Sequence, residues 1–232
     1  MATAFACTIA MKTQAQQCTG NCADGFGALS GTEHVRIGFF KASKMNGLGD
    51  ESGKQLHSGE WKDGKKEGLV VYNETGDFGF GLYHADQKDG LHIILLKDGG
   101  IRLTAYDKGV VKTNEVPAKT NNTGCPYGNC TNGIGYQVGT EGAFKDKILA
   151  GRFSNGLLNG PGYIRDLGSG NQAYSMFKDG MIDKVLVYIY PTGGAMLAEI
   201  RNGKKNGNVI NIFPDGRFMA QVFADDVAVS KY

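Results

Sequence analysis

The sequence predicts an all-β protein built from tandem β-hairpins, and three observations lead to this prediction. The 232-residue chain contains 36 glycines, more than twice the share of about 7% found in average proteins. Only 5 prolines accompany them, and no collagen-like period is present, so the glycines indicate turns. Glycines and large side chains also recur together about every 22–24 residues, the kind of fixed period that marks a repeat protein.

Three columns of residues keep this period along the chain. The first is a glycine that begins each unit, the second a turn glycine, and the third a large side chain that closes the unit. The first column contains Gly25, Gly47, Gly68, Gly90, Gly133, Gly160 and Gly207, with Lys184 in the equivalent place of one unit. The second contains Gly31, Gly53, Gly76, Gly99, Gly139, Gly170, Gly193 and Gly216. The third contains Phe40, Trp61, Tyr83, Tyr106, Phe153, Phe177, Ile200 and Phe223.

Each unit has the pattern of a β-hairpin, which is clearest in the last one. Two runs rich in β-branched and aromatic residues, 208–213 and 217–223, flank Pro214-Asp215-Gly216. Proline sets φ for a turn, aspartate bonds the backbone ahead of it, and glycine accepts a positive φ. The flanking runs favour strands.

The chain divides into two related halves that begin with the same motif. Gly20-Asn21-Cys22 and Gly128-Asn129-Cys130 are each followed by a Gly-x-Gly pair, and each has a second cysteine just upstream. We therefore expect a first hairpin array at residues 16–116, a linker at 117–127 and a second array at 128–232, with about four hairpins in each array.

Residues 1–15 have a different character. Ala2 to Met11 is short and apolar, and Thr13-Gln14-Ala15 is a candidate small-residue cleavage site, so the segment resembles the back half of a secretory signal. A disordered or tagged N-terminus is the alternative. Export predicts a secreted, periplasmic or cell-envelope protein, and without export the location is cytoplasmic.

The cysteines predict two short disulfide loops, one at the start of each half. Cys18 and Cys22 are four residues apart, and Cys125 and Cys130 are five apart. A zinc site made of all four thiolates is the alternative, but about a hundred residues separate the two pairs. Removal of Cys7 with a signal segment would leave an even number of cysteines, which also favours disulfides.

The later units of each half are apolar at consecutive positions, as in 92–96 and 185–190. Because side chains alternate between the two faces of a strand, both faces carry apolar groups there. This pattern predicts one of three arrangements: the two halves pack on each other, the protein forms a homodimer, or the face binds a ligand.

The units resemble the membrane occupation and recognition nexus (MORN) repeat. The resemblance is carried by Ser58 to Gly68, by Arg152 to Gly162 and by Met176 to Gly180, which fit the pattern Tyr-x-Gly-x-Trp-x-x-Gly-x-x-x-Gly-x-Gly. It covers about residues 20–109 and 128–225, and it is weaker where Lys184 replaces a glycine and at Asn206 to Asn208. It implies hairpins stacked into an elongated, curved antiparallel sheet. It also implies a scaffold or protein-binding role, without catalysis or cofactor, and for some members an association with membranes.

Several residues are candidates for a site. Large rings in register along a sheet form either the core between repeats or a groove for a peptide or a glycan; the candidate ligand-binding rings are Trp61, Tyr83, Tyr106, Phe153 and Phe177. The four histidines are expected to be structural, at the surface or half-buried. The lysines of the turn edges are Lys62, Lys65, Lys66, Lys204 and Lys205; they favour a solvated rim over a surface for acidic headgroups.

These observations rank three functions. A non-enzymatic binding or scaffold protein of the cell envelope comes first, with an unknown protein or a membrane surface as its partner. A carbohydrate-binding module that uses the aromatic rings comes second, and an enzyme with a site between the halves comes last. A net charge of +2 with dispersed cations gives no basic patch for nucleic acid.

Overall fold

In the computed structural model, which describes residues 16–74, 76–96 and 101–232, the protein consists of two open antiparallel sheets of ten strands each. This confirms the prediction of an all-β fold made of two hairpin arrays. One short 3-10 turn, Gly142–Phe144, interrupts the second array. The predicted signal segment at 1–15 and the turn glycine Gly99 lie outside the described residues.

The strands follow one another in space in the order of the chain. The first sheet contains β1 Gln17–Gly20, β2 Gly25–Ser30, β3 His34–Lys41, β4 Lys44–Gly53, β5 Leu56–Lys62, β6 Lys65–Glu74, β7 Asp77–His84, β8 Gln87–Leu95, β9 Ile101–Asp107 and β10 Val110–Glu115. The second contains β11 Tyr127–Gly128, β12 Gly133–Val138, β13 Lys147–Ser154, β14 Leu157–Asp166, β15 Gln172–Lys178, β16 Met181–Ile189, β17 Ala195–Arg201, β18 Lys204–Ile212, β19 Phe218–Ala224 and β20 Val227–Lys231.

Tight two-residue turns close four hairpins in each sheet. Both turn residues have positive φ, the conformation of a type I′ turn, whose twist matches that of the flanking strands. The turns are Ala42-Ser43, Asp63-Gly64, Ala85-Asp86, Lys108-Gly109, Asn155-Gly156, Asp179-Gly180, Asn202-Gly203 and Asp225-Asp226. We call the edge of the molecule formed by these turns the turn rim.

The glycine that begins each unit lies directly opposite the large side chain that closes the unit. Gly47 pairs with Trp61 and Gly68 with Tyr83, and the same pairing recurs along both sheets. The remaining pairs are Gly25 with Phe40, Gly90 with Tyr106, Gly133 with Phe153, Gly160 with Phe177, Lys184 with Ile200 and Gly207 with Phe223. The two sequence columns are therefore two sides of one cross-strand contact.

Every one of the eight hairpins has a shift of register close to its turn. In β5 and β6, for example, Gly59 pairs with Val70 but Trp61 pairs with Lys66, so β6 bulges around Gly68. The backbone N–H of Leu69 has lost its ladder partner at this bulge, and it donates instead to the Glu60 carboxylate, 2.8 Å away. In the equivalent bulge of β18 the N–H of Asn208 donates to Glu199 at the same distance.

The two sheets pack face to face, with the strand order of one reversed relative to the other. Strand β5 lies over β16 and β6 over β15; likewise β4 contacts β17 and β18, while β14 contacts β7 and β8. When each strand is replaced by the equivalent strand of the other sheet, each of these contacts becomes another of the observed contacts. A pseudo-twofold axis parallel to the strands therefore relates the halves. Such an axis brings the turns of both sheets to the same rim.

The main core lies between the sheets and draws on both halves. Its central rings are Phe80 of the first sheet and Tyr174 of the second, with ring centroids 5.3 Å apart. At one end, Tyr232 packs against Phe39 and Phe26 at 5.0 and 6.4 Å. Of the three arrangements expected from the apolar runs, the structure shows the halves packed on each other.

Candidate functional site

The rings proposed as ligand contacts lie on the outer faces of the sheets, away from the interface between them. Trp61, Tyr83, Phe153 and Phe177 are buried, and Tyr106 is half-buried. They pack within the sheet to which they belong, which favours the core role over a groove role. Their function in binding stays a prediction.

Side chains from the neighbouring strand fill the spaces between these rings. Met45 packs between Phe40 and Trp61, while the Lys66 ammonium lies 5.7 Å from the ring centroids of both Trp61 and Tyr83. In the second sheet Leu158 packs with Phe153 and Phe177, and the Lys205 ammonium lies 4.5 Å from the Phe223 ring. The turn-edge lysines Lys66 and Lys205 thus lie against aromatic rings rather than forming a solvated rim.

A cluster of three tyrosines and one histidine covers the outer face of the first sheet. The His92 ring contacts those of Tyr72, Tyr83 and Tyr106 with centroid distances of 5.7, 5.4 and 5.0 Å. The rings fit because the neighbouring strand β7 of the same sheet has glycines beneath them. A Cβ on Gly81 would lie 2.5 Å from the His92 ring, and one on Gly79 would lie 2.3 Å from Tyr72.

His92 is buried in this cluster and is held neutral. Burial lowers its pKa to about 4 because the charged imidazolium would lose its hydration. Nε2 lies 2.8 Å from the Leu82 carbonyl and Nδ1 lies 3.2 Å from the Tyr72 hydroxyl. We assign the Nε2–H tautomer, which donates to Leu82 and accepts from Tyr72.

A row of charged groups crosses the same face beside the ring cluster. Arg36 bonds Glu51, the two nitrogens of His57 lie 3.9 Å from Glu51 and from Glu74, and Lys88 bonds Glu74 at 2.7 Å. The neighbouring His57 and Lys88 side chains lower the pKa of Glu74 to about 2. The row joins strands β3 to β8.

The histidine prediction was wrong for two of the four residues. His57 and His92 are both buried, and they lie on the same face of the first sheet. The alternation of Gly79 and Gly81 with Phe78 and Phe80 was the available signal, because paired glycines on one face leave room for rings from neighbouring strands.

Asp50 is a buried carboxyl in the interface between the sheets. Ser58, its cross-strand partner, donates its hydroxyl to Asp50. Burial raises the pKa of Asp50 to about 6, and the hydrogen bonds from Ser58 and Ser52 oppose this change. The equivalent pair in the second sheet is Tyr163 and Tyr174, which are also cross-strand neighbours.

A cavity of about 790 Å³ opens between the sheets at the turn rim. Glu60 and Lys62 of the first sheet and Lys184 and Glu199 of the second contribute to its lining, together with Lys41. Burial raises the pKa of Glu60, whereas the N–H of Leu69 and the Lys184 ammonium lower it. The three charged groups Glu60, Lys184 and Glu199 thus interact across the junction of the halves.

Both predicted disulfides are present. Cys18–Cys22 lies beside β1, and Cys125–Cys130 lies beside β11, the first strand of the second sheet. Two disulfides are compatible with an oxidising extracellular or periplasmic compartment. Each disulfide lies at the edge of its sheet where the hairpin array begins.

The opposite edges of the sheets, β10 and β20, have a different character. All the residues of both strands are exposed, including Val110, Val111, Val227 and Val229. Among the described residues no strand pairs with the outer edge of either. The two residues that flank a two-residue turn form a hydrogen-bonded pair, and along the strand the N–H groups then point alternately away from and toward the partner strand. The N–H groups of Val111 and Ala228 therefore point away from the partner strand, toward this free edge.

Two kinds of feature are absent from the described residues. No group of three or more histidine, cysteine, aspartate or glutamate side chains there is arranged to hold a metal ion. Helices long and apolar enough to span a membrane are likewise missing from this part of the chain.

Comparison with known proteins gives weak structural likenesses, of which two are described. The wild-type TCP10 domain of Danio rerio CPAP is 12% identical, and the match covers 90% of this chain and 95% of that one with a TM-score of 0.27. A mutant of the same domain is 13% identical, with 89% and 94% covered and the same TM-score. The TM-scores are too low for these domains to define the fold or function of this chain. No family model and no curated protein matches the sequence.

Proposed function

We propose that this protein is a non-enzymatic binding and scaffold protein, secreted or of the cell envelope, that recruits a protein partner by strand addition. One observation carries the proposal: each sheet ends in an edge strand with every residue exposed, β10 of six residues or β20 of five. An unpaired strand edge is a template for an extended segment of another chain, whose main chain supplies the affinity.

The contrast between the edges of each sheet supports this function. Strands β1 and β11 are four and two residues long, and a disulfide loop adjoins each. Short edge strands discourage pairing. Strands β10 and β20 expose valines, which favour pairing, although Lys112 and Val229 lie at bulges that limit its length.

Proline substitutions at the free edges test the function. We expect Ala228→Pro or Val111→Pro to weaken partner capture, because each removes an outward N–H without removing a bond of the internal ladder. A photo-crosslinking residue at the exposed Ser230 of β20, introduced in the native cell, should join the protein to one discrete partner. The same residue at the exposed Lys178, away from both edges, should not.

The fold must be monitored in the same experiment. Val227→Pro is the matched control, since it removes a hydrogen bond from the internal hairpin and should lower the melting temperature, whereas Ala228→Pro should not. Crosslinking that is unchanged in a variant that carries both Val111→Pro and Ala228→Pro would contradict strand addition.

A further inference from the structure

The pseudo-twofold axis allows the two ends of the sandwich to be compared position by position. At the end formed by β2, β3, β19 and β20, aromatic rings fill the space between the sheets. The rings belong to Phe26, Phe39, Phe218 and Tyr232, and the centroids of neighbouring rings lie between 5.0 and 6.4 Å apart. We call this end the ring end. Side chains of the protein itself close it.

The opposite end, formed by β9, β10, β12 and β13, has different side chains at the equivalent positions. Phe39, for example, pairs with Phe26 one residue before the large side chain that closes its unit. Arg152 holds the same place in its own unit, and it pairs with Ile134. The equivalent positions are Phe26 and Ile134, Phe39 and Arg152, Phe218 and Ile101, and Tyr232 and Glu115. None of the four rings has an aromatic counterpart.

A cavity of about 570 Å³ lies at this opposite end, and we call it the end cavity. Leu103 of the first sheet and Ile134 of the second contribute apolar side chains to its wall, and Pro117 and Ala118 contribute from the connection between the halves. Its volume is typical of small-molecule sites, whose walls are largely apolar with a few polar groups. The cavity therefore has an apolar wall and room for a ring like those that fill the ring end.

The end cavity also has one positive and one negative group. Arg152 and Glu115 carry the only charges among the described residues that line it. Both residues are exposed, and neither side chain forms an ion pair or a hydrogen bond with the other or with any further described residue. The guanidinium and the carboxylate are therefore both free to bind a ligand.

Two free charges of opposite sign next to an apolar wall define the chemistry of the ligand. A guanidinium binds a carboxylate through two parallel N–H donors, and a carboxylate accepts hydrogen bonds from an ammonium group. An amino acid carries both groups on one carbon atom. An aromatic side chain would supply the ring that this end lacks.

We infer that the end cavity binds a free aromatic amino acid. The ligand carboxylate bonds Arg152, its ammonium group bonds Glu115, and its ring packs against Leu103 and Ile134. This inference goes beyond strand addition, because it uses side chains that line a cavity and not the main chain of a free edge. Ala228→Pro, at the ring end, should therefore leave amino-acid binding unchanged.

Titration with L-tryptophan, followed by NMR chemical shifts or calorimetry, tests the inference. We expect saturable binding. L-Alanine lacks the ring and N-acetyl-L-tryptophanamide lacks both charges, so each should bind at least about tenfold more weakly. The blocked amide also represents a tryptophan within a peptide chain. Equal binding of this compound would overturn the inference, because the ring alone would then suffice.

Substitution of the two charged residues tests their roles. Arg152→Gln and Glu115→Gln should each weaken tryptophan binding by about tenfold or more, since each removes a charge-assisted hydrogen bond. Arg201→Gln is the matched control, because Arg201 is exposed and lies outside the cavity lining. It should bind like the parent protein.

Glu115→Tyr gives the sharpest test, because it places in the end cavity the residue that fills the ring end. We expect a folded protein with a melting temperature no lower than that of the parent and without tryptophan binding. Three outcomes would overturn the inference: no saturable signal with the parent protein, equal weakening by Arg201→Gln, or binding that survives in Glu115→Tyr.

Discussion

At the scale of single residues, Asp50 marks a position at which the two related halves carry different side chains. The aspartate and its partner Ser58 face the second sheet from positions that Tyr163 and Tyr174 occupy in the other half. The tyrosines bury rings and keep their hydroxyls on Gln172. Asp50 instead keeps an ionisable group between the sheets, and this group gives the fold a pH dependence.

We predict that Asp50 makes the parent protein lose stability, relative to an Asp50→Asn variant, as the pH rises from about 4 to 6. The pKa of Asp50 is about 6 in the folded protein, against 3.8 for the free side chain, so the folded state holds the proton more tightly in this window. The full difference corresponds to about 3 kcal/mol. Buried His92, with a pKa of about 4 against 6.5, raises the free energy of unfolding of both proteins over the same range, so the difference between them, measured by urea unfolding at several pH values, isolates Asp50.

Glu74 provides the control, because its titration has the opposite sign. Its folded pKa is about 2 against 4.5, so it makes stability rise between about pH 2 and 4.5. The difference in stability between the parent and Asp50→Asn should therefore change in the same way from pH 4 to 6 when both proteins also carry Glu74→Gln. A difference that stays constant over this range would show that Asp50 does not titrate there.

At the scale of the element, the hairpin with a bulge is the unit that the chain repeats. The bulge accommodates a positive φ in the second strand, and it leaves a backbone N–H without its ladder partner. In β6 and β18 a carboxylate from the first strand of the hairpin, Glu60 or Glu199, replaces that partner. The last hairpin of each half has no such glycine, and there the array ends.

We predict that Glu60→Ala destabilises the protein by about 1–3 kcal/mol, because the buried N–H of Leu69 is left without an acceptor. Glu60→Gln keeps a side-chain oxygen and should cost clearly less. Glu199→Ala should behave like Glu60→Ala, since it removes the same contact from the other half. Urea denaturation measures all three, and equal losses for the alanine and glutamine variants would show that charge matters more than the hydrogen bond.

At the scale of the whole molecule, local chemistry was predictable from the sequence and the packing of distant parts was not. The columns that contain Gly68 and Tyr83 predicted hairpins because turns and cross-strand pairs join residues close in sequence. The cysteine spacing predicted both disulfides for the same reason. The position of Lys184 near Glu60 depends on how one sheet lies over the other, and no short-range pattern encodes that.

The burial of His57 and His92 escaped prediction for a related physical reason. The space for the His92 ring is left by Gly81 of the adjacent strand β7, and the position of His92 within its own repeat does not indicate it. The cavity at the turn rim has the same origin, since its lining comes from both halves.

The reversed strand order has a consequence for the connectivity of the chain. Because β1 and β20 belong to the same end of the sandwich, the last residue, Tyr232, packs against Phe26 and Phe39 near the start. We therefore predict that the chain can be opened within the connection at 117–127 without loss of the fold. A circular permutant, with a short linker from Tyr232 to Gln16 and new ends opened near Asn121, should fold with a melting temperature within a few degrees of the parent. A permutant that fails to fold would show that the connection itself holds the two sheets in register.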